Sequence, residues 1–341
     1  MHRLNFIAEV GVNHEGSVQS AEDHIKAAAA AGATAVKFQA YKASKIASVI
    51  SPSYWDTNKE PETSQFKLFS KYDNLEVEDY KYLSKICADV GVDFMVTCFD
   101  QDWLHALDPL VKVHKIASAD ITNFRLLRSV AQTEKKVLLS TGASSLLEVE
   151  IAVKELMSHG TKEIVLMHCV LCYPTKFQDA NLGRISSLRE IARSYELDEV
   201  GYSDHTEPTD KHEILISALA LGVTWIEKHF SLTPKAIGND HYHSFGPESL
   251  KSFMSSVSGL SDALGFKEKD FLGIQSTAVK NARRGIYAST DISVGTKIDQ
   301  DHVIELRPIG LIPSEEIDSI IGKRVNAFIK SGEPISYESL G

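Results

Sequence analysis

The sequence predicts a (β/α)8 TIM barrel followed by a small domain of short strands, and three observations carry that prediction. Eight short apolar runs alternate with amphipathic helical segments up to Gly265. Several of these runs deliver a polar side chain at or near their end, where barrel enzymes build their sites. Beyond Gly265 the beat stops and turn-rich, β-like segments take over. An open doubly wound sheet more often has about five to seven strands, so eight units favour closure into a barrel.

In chain order the predicted strands are FIAEVGV (6–12), AVKFQAY (35–41), DFMVTCF (93–99), VHKIAS (113–118), KVLLSTG (136–142), EIVLMHCV (163–170), EVGYSD (199–204) and WIEKHFSL (225–232). Among the helical patterns between them, 20–32 opens on Ser20 and closes on Gly32, and 210–222 closes on Gly222. A last helix runs from Pro247 to near Gly265. The segment 42–75 is too long and polar for a simple βα connection and reads as a lid or wall over the strand ends. The chain thus divides into a barrel (1–265), a linker rich in charge and glycine (266–277) and a small domain (278–341) with turn signals at Asp291 and Gly295.

With 43% hydrophobic and 24% charged residues the composition is that of a soluble globular protein. No apolar run approaches the ~20 residues of a membrane span, and MHRLNFIAEV has no signal-peptide core, so the sequence predicts a cytoplasmic protein. A formal charge of -10 repels a phosphate backbone. Nucleic-acid binding is therefore not expected, and any positive potential must be concentrated in a cleft. Cys87, Cys98, Cys169 and Cys172 read as buried or pocket-lining free thiols. Cys169 and Cys172 form a C-x-x-C, but the second pair or helix-start context of a zinc or redox motif is missing.

Glu9, Lys37, Gln39, Thr97, Lys115, Ser118, Ser140, Thr141, His168, Asp204, His205 and His229 all fall in or just after predicted strands. Their convergence is the signal, because polar groups directed into an apolar barrel need a ligand, a metal or one another. YSDHT (202–206) and IEKHF (226–230) each end a strand by delivering a histidine, so His205 and His229 are the candidate metal ligands. Taken singly, a strand-end histidine is as compatible with a satisfied structural role. Lys37 and Lys115 add fixed cations, and metal plus cations describe a site for an anionic, phosphorylated substrate. His241 and His243 lie in the loop GNDHYHS and are expected to be outlying, solvated groups.

IAEVGVNHEG, VKFQ, KIAS, STG, the HC and YPT of HCVLCYPT, YSDHT, EKHF and the ARRGIYASTDI…RP tail closely resemble the sialic acid synthases, phosphoenolpyruvate-dependent synthases of nonulosonic acids. The resemblance runs from Ile7 into the C-terminal domain, which looks like the antifreeze-like (SAF) module of that family. It implies a barrel with that module in a domain-swapped homodimer. It also implies condensation of phosphoenolpyruvate with N-acetylmannosamine or a related acylamino sugar, with a divalent cation such as Mn²⁺, Mg²⁺ or Co²⁺ at His205 and His229. N-acetylneuraminate synthase is the first reading. Legionaminic or pseudaminic acid synthase, acting on a 6-deoxy diacetamido hexose, is the alternative.

The chemistry agrees with the residue inventory. Carbon 3 of phosphoenolpyruvate attacks the sugar aldehyde, water captures carbon 2, and phosphate leaves with C–O cleavage. Glu9 is the candidate for the water proton, and its competing reading is a structural carboxylate paired with a barrel lysine. Lys37 and Lys115 hold the phosphate and carboxylate with the hydroxyls of Thr97, Ser118, Ser140 and Thr141, and His168 is grouped with this substrate-binding set. The resemblance directs Gln39, Tyr173, Ser203 and Asp240 toward the sugar, and implies that Arg307 of ELRP reaches it from the partner's C-terminal module. Two positions depart from the family pattern: Cys98 stands where STPF has proline, and Leu171 where a small polar residue often precedes YPT. Both are expected to face the sugar, and one apolar change there favours a deoxy sugar by ~1–3 kcal/mol. A metal-dependent barrel aldolase or hydrolase is a second reading, but it leaves the two lysines without a task. A binding protein with a vestigial barrel is a third, and Lys37, Lys115, His205 and His229 argue against it.

Overall fold

Strands covered on both faces must be apolar almost throughout, and the eight runs that meet this condition form one parallel sheet in the computed structural model, which describes residues 4–238, 240–264 and 271–341. The strands are β1 (Asn5–Gly11), β2 (Ala35–Ala40), β3 (Asp93–Cys98), β4 (Val113–Ile116), β5 (Lys136–Ser140), β6 (Ile164–Cys169), β7 (Val200–Asp204) and β8 (Trp225–His229). Their order is β3-β2-β1-β8-β7-β6-β5-β4, and β4 lies beside β3, so the sheet curls to near closure. The chain separates into two compact units, one ending at Leu264 and the other beginning at Gly265.

The two-residue period of each strand decides what enters the barrel. Ile7, Ala35, Met95, Leu138, Val165 and Met167 form an apolar plug, with Val113 and Trp225 packed against it. One period further along the same strands come Glu9, Lys37, Thr97, Ser140, Cys169, Lys115 and Glu227, so the plug becomes the floor of a polar chamber. The alternate residues, such as Phe6, Ala8, Val36, Phe38, Leu139 and Leu166, face outward into the layer shared with the helices.

Local capping explains where helices begin. The first runs Val18–Ala30, because Ser17, and not the predicted Ser20, is the N-cap; its hydroxyl accepts from Ser20 N at 3.2 Å. The helix Val77–Val90 stops on Gly91 at φ +79°. Between β2 and β3 the segment 42–75 carries only the short helices Ala43–Ile46 and Gln65–Ser70, and its side chains wall the chamber as the sequence predicted. At the top of β1 the register shifts between Glu9 and Gly11. Gly11 has φ +55°, and a Cβ there would lie 3.2 Å from both Glu9 Oε1 and Gln39 Nε2.

The second unit has its own core of Ile286, Ile298, Ile312, Ile320, Ile335 and neighbours. Strands β9 (Gly285–Ala288) and β10 (Val303–Leu306) pair antiparallel. A Cβ on Gly285 would lie 1.8 Å from Ile309 O, so only glycine lets the two backbones approach here. Of the predicted linker, 266–270 lie outside the described residues; the rest enters the helices Phe271–Ile274 and Ser276–Ala282. Among the described residues no helix is long and apolar enough to cross a membrane.

Candidate active site

A cavity of about 370 Å³ opens at the C-terminal ends of the strands. Its floor is a four-member ionic network. Glu9 Oε2 lies 2.6 Å from Lys37 Nζ, and Gln39 Nε2 donates to Glu9 Oε1 at 3.0 Å. Lys37 also donates to Thr97 Oγ1 at 3.0 Å. Glu227 Oε1 stands 3.4 Å from Lys115 Nζ and 3.8 Å from Lys37 Nζ, and it accepts from Ser203 Oγ at 3.1 Å. Burial pushes the Glu9 carboxyl above its ordinary range against the pull of Lys37, with Glu227 adding to the rise. Burial works on Glu227 too, but Lys115 and Lys37 outweigh it and hold that carboxyl below its usual range. Carboxyls driven apart in this way suit different proton roles.

Above the floor are three imidazoles and a carboxylate. His205 Nδ1 meets Val170 O at 2.8 Å; a carbonyl only accepts, so Nδ1 carries a proton, and although burial works to lower this imidazole, the adjoining Cys169 outweighs it and holds it above its ordinary value. His229 Nδ1 lies 3.4 Å from Asp240 Oδ2, and His243 Nε2 lies 3.8 Å from Asp240 Oδ1. His229 Nδ1 and both ring nitrogens of His243 are buried without a hydrogen-bond partner. Burial, reinforced by the neighbouring imidazoles, depresses both histidines well below their ordinary value, which keeps their lone pairs available. Burial first, then the charge of Glu9, pushes Asp240 up to about 7. The donor atoms of His229, Asp240 and His243 all lie within 4.8 Å of one another, and this nitrogen and oxygen set fits a divalent metal ion.

The loop carrying Asp240 and His243 is held from several sides. Asn13 Nδ2 donates to Phe230 O and Ser244 Oγ, Ser231 Oγ bonds His241 Nδ1 at 2.7 Å, and Phe245 N donates to His229 O at 2.7 Å. The expectation of solvated loop histidines is therefore corrected: His241 is 1% and His243 0% exposed. Behind the site Lys228 and Asp204, paired in register on β8 and β7, form a buried 2.7 Å ion pair directly before His229 and His205. Asp204 thus faces away from the cavity.

Glu9, Lys37, Gln39, Thr97, Lys115, Ser118, Ser140, Tyr173, Ser203, His205, His229 and Asp240 all line the one cavity. Ser118 Oγ accepts from Gly142 N at 2.9 Å, while Ser140 Oγ is buried without a partner. Thr141 and His168 do not line it. Each is one residue out of phase with its inward neighbour, Ser140 or Met167, so its side chain faces outward. Thr141 Oγ1 donates to Met167 O at 3.1 Å; His168 Nε2 donates to Ala180 O at 2.8 Å and its ring stacks on Tyr202. Cys98 fails for the same reason and packs in the outer core, whereas Leu171 does line the cavity. Cys172 is exposed rather than buried or lining, and all four thiols are free. Arg307 is an exposed residue of the second unit. Cys169, read from the sequence as a buried or pocket-lining thiol, is both; sequence reasoning missed Glu227 and the placing of His243, and the two-residue period would have found Glu227, one step from His229.

Residues 24–269 match the NeuB family and residues 283–340 the SAF domain. The chain is 34% identical over 98% of its length to the N,N'-diacetyllegionaminic acid synthase of Legionella pneumophila, covering 94% of that protein. It is 33% identical to the corresponding Campylobacter jejuni enzyme, over 98% of this chain and 99% of that one. The crystal structure of N-acetylneuraminic acid synthetase from Leptospira borgpetersenii superposes with a TM-score of 0.69 at 29% identity, covering 81% of this chain and 90% of the other. A NeuB match over most of the barrel, an SAF match beyond it and near full-length identity above 30% lead to one conclusion: the chain belongs to the NeuB family of sialic and related nonulosonic acid synthases.

Proposed function

We propose that the protein condenses phosphoenolpyruvate, an open-chain acylamino hexose and water into a nonulosonic acid and inorganic phosphate. The observation that carries this reading is one cavity in which two buried lysines and several hydroxyls adjoin a cluster of metal-type donors. Lys37 and Lys115 bind the phosphate and carboxylate of phosphoenolpyruvate, with Thr97, Ser118, Ser140 and Ser203 beside them. The unpartnered Ser140 hydroxyl is a donor waiting for an acceptor. The carbon 3 electron pair forms the new C–C bond to the aldehyde carbon, water adds at carbon 2, and the C–O bond to phosphate breaks. Glu9, raised by burial and held by Gln39 and Lys37, takes the proton from the attacking water. His205 and His229, with Asp240 adjoining, would hold a divalent cation, which would supply Lewis-acid polarisation of the aldehyde oxygen; Mn²⁺ is the first candidate, with Mg²⁺ or Co²⁺ as alternatives.

For the acceptor we favour a 6-deoxy diacetamido hexose. Tyr41, Tyr54, Trp55, Phe69, Phe99 and Leu171 give the cavity an aromatic and aliphatic side suited to a methyl in place of a hydroxymethyl group. Such a difference is worth about 10- to 200-fold. The two relatives named N,N'-diacetyllegionaminic acid synthases support the same choice. Phosphate release with mass detection of product, across N-acetylmannosamine and diacetamido-trideoxy hexoses, tests both parts. Release with no sugar tried would sink the reaction, and a preference for N-acetylmannosamine would sink the acceptor. Phosphoenolpyruvate labelled with ¹⁸O at the bridge should deliver its label to phosphate.

A further inference from the structure

We infer that Tyr41 is a specificity-determining residue, its phenol donating to the carbonyl oxygen of the acylamino group that lies farther from the aldehyde of the acceptor sugar. The inference rests on the proposed diacetamido acceptor, and it names the side chain that tells such a sugar from one with a single acylamino group.

Strand β2 and the residue after it carry an inward ladder of polar side chains. Lys37, Gln39 and Tyr41 share one phase and line the cavity, while Phe38 and Ala40 face the outer core. At about 3.3 Å per residue, Tyr41 stands roughly 13 Å along the chain from Lys37, two rungs above the floor. Phosphoenolpyruvate held at Lys37 bonds to the aldehyde end of the sugar, which turns the sugar's other end toward the third rung.

The Tyr41 hydroxyl is buried without a hydrogen-bond partner, and the residue as a whole is 4% exposed. A buried donor left unpaired is costly, so one that borders a substrate cavity marks where an acceptor belongs. Phe69 and Phe99 clamp the ring edge-on, with centroids 5.7 and 5.9 Å away, and this holds the hydroxyl in place. Phe99 N also donates to Ala40 O at 3.2 Å, which fixes the backbone beside Tyr41. Burial, and then Tyr80, pushes the phenol well above its ordinary value, so it keeps its proton and acts as a donor.

The surroundings choose the acceptor. Phe69 and Phe99 flank the hydroxyl, and Trp55 packs on Phe69 with centroids 6.4 Å apart. A charged oxygen is expensive to strip of water beside these rings, and a sugar hydroxyl would bring a further proton that needs an acceptor of its own. An amide carbonyl is neutral, accepts strongly, and in an acetamido group carries a methyl that packs on the same rings.

The probes are open-chain alditols, which lack the aldehyde and so bind without reacting: one from a diacetamido-trideoxy hexose, and one from its counterpart with a hydroxyl in place of the far acetamido group. In calorimetry with full-length protein and phosphoenolpyruvate present, the diacetamido alditol should bind wild type about 10- to 100-fold tighter than its counterpart. Tyr41→Phe should lose most of that preference, through weaker binding of the diacetamido alditol alone. Because Tyr41→Phe keeps both ring contacts and discards an orphaned donor, it should unfold at a temperature no lower than wild type, whereas a merely structural hydroxyl would make the variant less stable. Equal weakening for both alditols, or an unchanged preference in Tyr41→Phe, overturns the assignment, as does a wild type that does not distinguish the two. Alditol binding as inferred, with no phosphate release from any aldehyde sugar, sinks the proposed reaction and leaves this assignment standing.

Discussion

Replacing Glu227 with glutamine separates the fixed charges of the site from its shape. The carboxylate lies 3.4 Å from Lys115 and 3.8 Å from Lys37, so at an effective dielectric of ~20 the gross attractions are about 5 and 4 kcal/mol. Lys37 keeps Glu9 at 2.6 Å, so the loss falls mainly on Lys115, which is 6% exposed and has no other carboxylate within 4.0 Å among the described residues. Losing one member of a buried pair costs on the order of 3–5 kcal/mol, and the ligand-free barrel should lose about 3 kcal/mol of stability. Phosphoenolpyruvate brings its own anionic oxygens, and these no longer compete with Glu227 for Lys115. Its stabilising effect should therefore be larger in Glu227→Gln than in wild type, with each 1.4 kcal/mol equal to a tenfold change in Kd. Denaturant unfolding with and without phosphoenolpyruvate measures both effects, and adding Lys115→Met should restore much of the lost stability by removing the orphaned cation. Wild-type stability together with an unchanged ligand effect would refute the reasoning.

Two further outcomes are expected. His14 is 1% exposed, accepts from Gly16 N through Nδ1 at 3.0 Å, and is depressed to about 4 by burial and then by His24. The unfolded histidine, near 6.5, binds a proton that the folded one refuses, so His14's contribution is complete above pH ~6.5 and is lost as pH falls toward ~4. That is on the order of 3 kcal/mol, and His14→Gln should show a shallower acid limb in unfolding titrations; an unchanged slope would rule out His14 as a source. Following the resemblance, Arg307 is proposed to act across a two-fold dimer, so inactive Lys37→Ala and Arg307→Ala homodimers should recover roughly a quarter of wild-type activity after mixing and exchange. No recovery, with exchange confirmed by native mass spectrometry, would exclude action in trans.

The barrel was legible because each strand is covered on both faces and so reads as a bounded apolar run, from Phe6 in β1 to His229 in β8. The site was legible only as far as strand ends could be read, since nearness to the end does not say which way a side chain faces. Phase does. Ser140 and Thr141 are adjacent and both hydroxylic, yet only Ser140 shares the inward phase of Leu138 and lines the cavity. His168 is a strand-end histidine like His229, but Met167 and Cys169 occupy the inward positions on either side of it. The same counting, applied backward from His229, reaches Glu227, the carboxylate that ties the two lysines together. His243 was beyond any such count. It belongs to no strand, and its burial depends on bonds from Asn13 and Ser231, distant in sequence, and from its neighbour Ser244, that seal the loop over the barrel. Glycine-rich loops are solvated by default because their backbone groups need water. Here protein atoms supply those partners, and two imidazoles and a carboxylate are left facing one another, with His229 Nδ1 and both His243 nitrogens unpartnered. This donor set suits a divalent cation, so the loop as well as the strand ends shapes the candidate site.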